Sequence, residues 1–236
     1  MNCVILQPSY IPWRGYFHQI YKADVFVFYD DVQYDKNGWR NRNRIKTKNG
    51  SLWLTIPVKK KGVISEHLPI KDVQIDWSKD WTKKHWAALA QAYARAPYFS
   101  AYADLLKSFY DQRPVNLADY TISLTIAIAE ELGIERSRFI RSSNLQVSGE
   151  KTDRLIQILK RLNATHYISG PAARDYLEEH KLTGAGISLE YMRYDYPEYT
   201  QLFPPYDSYV SILDLLLMTG PQAPEYIWAA RVSSNK

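Results

Sequence analysis

Short apolar runs separated by helix-length stretches occupy both ends of the chain, and they constrain the fold more than any other feature. Residues 3 to 7 and 24 to 29 (DVFVFY) read as strands, and WRGYFHQIYKA between them carries Phe17, Ile20 and Tyr21 at helical spacing. From residue 138 the alternation returns: RFIRSS, a helix from 151 to 163, THYISG, a helix from 171 to 180, and ISLEYMRYD. Strands interleaved with helices in this way predict an α/β fold, a mainly parallel Rossmann-like sheet with helices on both faces.

Two inserts interrupt the alternation. Over about 39 to 75, RNRNRIKTK and SLWLTIPV alternate on either side of Asn49-Gly50, the signature of a β-hairpin, with a further strand near 69 to 75. Over about 77 to 133 the pattern is helical, at roughly 80 to 94, 98 to 111 and 115 to 132, broken by Pro97 and Pro114 and closed by Gly133. A length of 236 residues suits one α/β domain spanning 1 to 236 and carrying both inserts.

Several classes are excluded at this level. The longest late apolar stretch, ILDLLLM, is interrupted by Asp214 and is far below spanning length, and MNCVILQPS has no basic n-region, so neither a membrane span nor an export signal is expected. The single cysteine, Cys3, sits in the first apolar run and can form neither an internal disulfide nor a cysteine zinc site; a cytoplasmic location is expected. No metal-ligand spacing and no G-x-S-x-G elbow occurs, so no metal or cofactor is expected. A net charge of +5 and a pI near 9.0 favour an anionic partner.

The opening stretch ILQPSYIPWRGYF crowds prolines, a glycine and aromatics at the exit of the first strand. Ligands of parallel sheets bind beyond the carboxyl ends of the strands, which puts Gln7, Tyr10, Trp13, Gly15 and Tyr16 at the rim of such a crevice, although a rigid packed turn would have the same composition. Arg40, Arg42, Arg44, Lys46 and Lys48 occupy every second position, so in a strand all five point to one side, opposite Asn41, Asn43, Ile45 and Thr47. An anionic ligand would relieve their repulsion; a solubilising edge strand is the alternative. Lys59, Lys60 and Lys61 read as solvated charge.

Asp30, Asp31 and Gln33 end the second strand, where a carboxylate commonly meets a substrate, and only one of the two aspartates can face the crevice. YISGPAAR places Ser169, Gly170 and Arg174 at a helix start with an anion-binding flavour. His85, one helical turn from Trp81, is a general-base candidate beside Asp31. Near the carboxyl end, Ser208 would cap the helix YVSILDLLLM and Gly220 would end it, while Ser211 and Asp214 would need buried partners.

QPSYIPWRGYF, ADVFVFYDDVQY, RNRNRIK, WLTIPV, YISG, YPEYTQL and SILDLL together resemble the WbqC-like family of bacterial proteins, from Gln7 to about Gly220. That resemblance implies a role in O-antigen and related surface-polysaccharide biosynthesis as a glycine or other amino-acyl transferase. It adds Asn41, Tyr199 and Gln201 to the residues matching the family pattern. A second resemblance is to nucleotidyltransferases of the HIGH type, with Trp13, Arg14, Gly15 and Tyr16 at the His-x-Gly-His, both of whose histidines are replaced here.

The expected function is a transferase joining a glycine-like or acyl unit to an amino sugar carried on a nucleotide. Arg42 and Arg44 would hold phosphate, the aromatics would stack a ring, and Asp31 or His85 would take the amine proton. The expected partner is an anionic small molecule, a nucleotide-linked sugar, with an aminoacyl or acyl donor for which tRNA and a carrier protein both stay open. A non-catalytic binder of a nucleotide-sugar or tRNA, or a divergent nucleotidyltransferase, are the alternatives.

Overall fold

The computed structural model describes residues 1–36, 38–59, 67–135 and 138–228; Lys60 and Lys61 lie outside the described residues. Its centre is a sheet of five parallel strands: β1 (Asn2–Leu6), β2 (Val25–Phe28), β5 (Phe139–Arg141), β6 (His166–Ser169) and β7 (Ser188–Tyr191). The spatial order is β5-β2-β1-β6-β7. The register pairs Ile5 with Val27 and Val4 with Ile168, so β1 is central.

Alternation along the strands separates two cores. Val4, Phe26 and Phe28 face one layer with Phe17 and Ile20 of α1 (Arg14–Lys22). Cys3, Ile5 and Val27 face the other, packed against α5 (Lys151–Arg161) and α6 (Glu179–Gly184). Both faces are covered, and the strands are therefore apolar runs. Burial pushes the Cys3 thiol up to about 12, which leaves it a small hydrophobe.

The inserts take the expected forms. β3 (Arg42–Thr47) and β4 (Gly50–Thr55) make an antiparallel hairpin. α2 (Trp81–Tyr93), α3 (Phe99–Asp111) and α4 (Leu117–Glu131) follow, and α7 (Ile212–Thr219) packs against both β3 and α3. Gly220 ends α7 at φ 55, and a Cβ there would fall 2.4 Å from the Tyr98 ring, so only glycine fits.

Three expectations are corrected. Residues 69 to 75 do not form a strand: Ile70–Asp72 is a 3-10 turn flanked by single bridges, because Ile70 and Lys71 donate their N–H groups to Val32 and Asp30 in the loop after β2 instead of to the hairpin. The helix expected over 171 to 180 is a 3-10 turn, Pro171–Asp175, followed by α6; the Glu178 N–H goes to Thr152 Oγ1 at 3.1 Å and leaves the helical ladder. Ser211, not Ser208, precedes α7, because the Ser211 and Ile212 N–H groups bond the carbonyls of Arg44 and Pro12 and delay the helix by a turn.

Candidate functional site

The chain leaves β1 toward β2 and β5 on one side, and returns through β6 and β7 on the other. The loops after β1 and β6 therefore diverge, and a crevice opens beyond their carboxyl ends. A cavity of about 1110 Å³ lies there. The exit of β1 contributes Leu6, Gln7 and Ser9, and one face of the first turns of α1 contributes Trp13, Tyr16 and Gln19. Tyr29 and Val32 come from the exit of β2, Tyr167 and Tyr176 from β6 and beyond, Lys151 and Leu155 from the start of α5. Trp39, Arg40, Asn43 and Arg44 close the cavity from the hairpin side, with Tyr209 from the loop before α7.

The opening loop and the hairpin are knitted together by hydrogen bonds. Asn43 Nδ2 donates to the carbonyl oxygens of Tyr10 and Ile11 at 3.2 and 2.8 Å, Arg40 Nη1 to that of Pro8 at 3.2 Å, and the Tyr10 N–H to that of Trp39. Tyr16 donates its hydroxyl to the Gln7 carbonyl at 3.1 Å, which holds the phenol against the loop, and burial pushes its pKa up. Gly15 allows the wall to form: a Cβ there would lie 2.3 Å from the Trp13 indole.

Electrostatically the lining is one-sided. Among the described residues it carries Arg40, Arg44 and Lys151 and no aspartate, glutamate or histidine. Desolvation by burial lowers the Arg40 pKa, with Tyr16 and Asp35 pulling the other way. Three buried polar atoms of lining residues, Gln19 Oε1, Arg40 Nε and Arg44 Nε, have no hydrogen-bond partner among the described residues. Buried polar atoms are rarely left so, and these three belong to residues of one cavity wall.

The three segments that meet here, the opening loop, the hairpin and the loop before α7, fall within the span that a family model matches. It describes the WbqC-like protein family and matches residues 7–226. This chain belongs to the WbqC-like family. A relative, the Uncharacterized protein Rv1507c of Mycobacterium tuberculosis, is 42% identical over 225 residues, covering 94% of this chain and 96% of its own. No solved structure matches the chain.

Of the residues expected at the WbqC-like site, the structure brings Gln7, Trp13, Tyr16 and Arg44 to the cavity wall. Gly15 acts from behind Trp13, and Ser169 from behind Tyr167, whose hydroxyl its Oγ approaches at 3.4 Å. The five cations of the hairpin do not share one fate. Arg42 and Arg44 stack over Trp53, while Lys46 is buried, its ammonium held by Gln201 Oε1 at 3.0 Å and by the Pro205 carbonyl; Arg40 and Lys48 lie outside the strand.

Both expected proton acceptors lie outside the lining. Asp31 accepts from Arg154 Nη2 and from Ser142 Oγ, each at 2.6 Å. His85 is 5% exposed, with Nδ1 facing the Tyr10 hydroxyl at 3.0 Å and the Thr55 backbone engaging the ring, and burial lowers its pKa to about 4. Tyr10 is itself fully buried, 2.7 Å from the Tyr110 hydroxyl. His85 and Tyr10 thus fill an aromatic core with Trp81 and Tyr110, and a core histidine on α2 has the same spacing as a site histidine.

The remaining candidates also have structural partners. Asn41 Nδ2 donates to the Ile56 carbonyl, Gln33 bridges to Pro69, Gly170 passes the Tyr194 hydroxyl, and Arg174 lies over the Tyr191 ring. Tyr199 and Gln201 donate to the buried Asp214 at 2.8 and 2.9 Å, with Tyr93 on its second oxygen. The residues expected from the sequence pattern do not include Gln19, Tyr29, Trp39, Lys151, Tyr167, Tyr176 or Tyr209. Tyr29 and Lys151 had a legible signal, lying at a strand exit and a helix start; Trp39 and Tyr209 had none.

Proposed function

We propose that this WbqC-like chain binds a nucleotide-linked sugar in the cavity at the carboxyl ends of β1 and β6, and acts there as a transferase joining a glycine-like or acyl unit to an amino group of that sugar. The observation that carries the reading is the lining itself. Arg40, Arg44 and Lys151 offer only donors, seven tyrosines and tryptophans offer flat apolar walls, and no carboxylate opposes a phosphate. The volume suits a ligand larger than a mononucleotide.

In the proposed reaction the sugar amine attacks the acyl carbonyl, a carbon–nitrogen bond forms, and the bond from the acyl carbon to its carrier breaks. The proton released by the amine passes to the departing oxygen or sulfur of the carrier. With no carboxylate or imidazole among the described lining residues, the chain's contribution is to hold both reactants in line and to place cations where negative charge develops. The same lack of an acid-base side chain favours a second reading, a binder of the nucleotide-sugar without turnover.

Thermal-shift and calorimetric titration with UDP-, GDP- and dTDP-linked amino sugars tests the binding. At least one is expected to raise the melting temperature by mass action. Arg44→Gln is expected to weaken that ligand by about tenfold, the scale of one charge-assisted hydrogen bond. No shift with any of them, or equal binding by Arg44→Gln, overturns the reading; binding without acyl transfer from any donor leaves the binder.

A further inference from the structure

Eight large hydrophobic residues are exposed among those described, and five of them gather at the cavity mouth and the hairpin beside it. Trp39, Tyr176 and Tyr209 line the cavity mouth, and Leu52 and Trp53 stand on the hairpin beside it. Trp39 and Trp53, each 44% exposed, stack with centroids 5.3 Å apart and planes at 28°. The Arg42 guanidinium lies 4.8 Å from the Trp53 ring centroid and that of Arg44 5.5 Å, with Arg44 also 5.8 Å from Tyr209. Arg44 pairs with Trp53 across the hairpin, so these side chains share its outer face, while Asn43, Ile45 and Leu54 fill the inner one.

We propose that this outer face is a second binding surface, a stacking shelf for the single-stranded end of an RNA leading to the cavity mouth. Indole rings flanked by arginines match alternating bases and phosphates, because every base presents a π-face and each guanidinium can turn N–H groups toward a phosphate. A neutral glycan could also accept from these N–H groups, but it carries no charge, so only an anionic strand gains from two guanidinium groups held beside the indoles and becomes salt-sensitive through them. Asp207, the carboxylate that feels Arg44, already accepts from Ser51 Oγ and the Tyr209 N–H. The shelf continues into the cavity through Trp39 and Arg44, yet it stands on its own observations and does not require the nucleotide-sugar reading.

Fluorescence anisotropy of the full chain with a 5′-fluorescein single-stranded RNA of about twelve nucleotides tests it, with the matching blunt duplex and heparin as competitors. The single strand is expected to bind more tightly than either competitor, and to weaken steeply between about 50 and about 200 mM salt. Trp53→Ala is expected to cost about tenfold or more in RNA affinity, and Arg42→Gln to lower the salt slope by about one. Trp53 does not line the cavity, so nucleotide-sugar shifts are expected to survive Trp53→Ala, which separates failure of the shelf from failure of the cavity. Equal binding of duplex, or of heparin as a stand-in for an acidic glycan, overturns the proposal, as does wild-type RNA affinity in both variants. If Trp53→Ala melts early, Arg42→Gln carries the decision.

Discussion

Asn43 Nδ2 sits 2.8 Å from the carbonyl oxygen of Ile11, a residue held at φ 38. An isoleucine in the left-handed region is strained, and such a conformation persists only where its surroundings fix it. Here the hairpin fixes it, and the carbonyls so aligned turn the opening loop back over the cavity. Asn43→Ala would strand the buried carbonyls of Tyr10 and Ile11, at a cost of roughly 2 to 4 kcal/mol. Urea denaturation is expected to show that loss together with weakened ligand binding; an unchanged midpoint would mean that the loop holds itself.

Gly15→Ala separates helix propensity from site geometry. Inside α1 the change would ordinarily stabilise by about 1 kcal/mol. The added Cβ would lie 2.3 Å from the Trp13 indole, so the ring must leave the cavity wall. A net destabilisation of about 1 to 3 kcal/mol is expected, with a loss of ligand affinity in the same variant. A raised melting temperature with affinity intact would show that Trp13 is not held by this contact.

Asp30 and Asp31 differ in what they hold. Asp30 is fully buried and accepts from Arg141 Nε, the Ser143 N–H and Ser143 Oγ, while its own N–H donates to Ser142 Oγ at 3.1 Å, tying β2 to the exit of β5. Asp30→Asn is expected to cost about 2 to 4 kcal/mol, because it leaves the Arg141 Nε and the two Ser143 donors mismatched at a fully buried position. Asp31→Asn, at a partly buried pair with Arg154, is expected to cost about 1 to 3 kcal/mol and to leave any transfer activity within a fewfold of wild type. Abolished turnover with full stability in Asp31→Asn would restore it as the proton acceptor.

His85 gives stability a pH dependence whose sign is fixed by its burial. Its folded pKa is about 4, below the ordinary 6.5, so between those values the unfolded chain binds the extra proton. Its contribution is full above about pH 6.5 and falls as pH drops toward 4, by at most roughly 3 kcal/mol. His18, also lowered to about 4 by burial, acts in the same window. His85→Leu is therefore expected to flatten, not abolish, the fall in urea midpoint between about pH 7 and about pH 5. An identical slope in the variant would show that His85 takes up its proton as readily in the folded protein as in the unfolded chain.

The order of elements was legible in the sequence because it depends on local periodicity. Alternating apolar runs and helical stretches are properties of neighbouring residues, and Asn49-Gly50, Pro97, Pro114, Gly133 and Gly220 punctuate them with backbone preferences that act within a few positions. The location of the cavity followed from the same pattern, since a parallel sheet gathers its loops at one end. Which side chains line it was decided by tertiary structure alone. Arg40, Arg42, Arg44 and Lys46 are equivalent along the chain, yet the loop over residues 201 to 207 buries Lys46, Trp53 stacks Arg42, and Arg40 and Arg44 face the cavity. His85 reads as a candidate base until Tyr10 and the Thr55 backbone occupy it. A side chain's chemistry depends on what other segments bring within a few ångströms of it, and contacts between residues 10 and 85, or 46 and 201, leave no trace in local spacing.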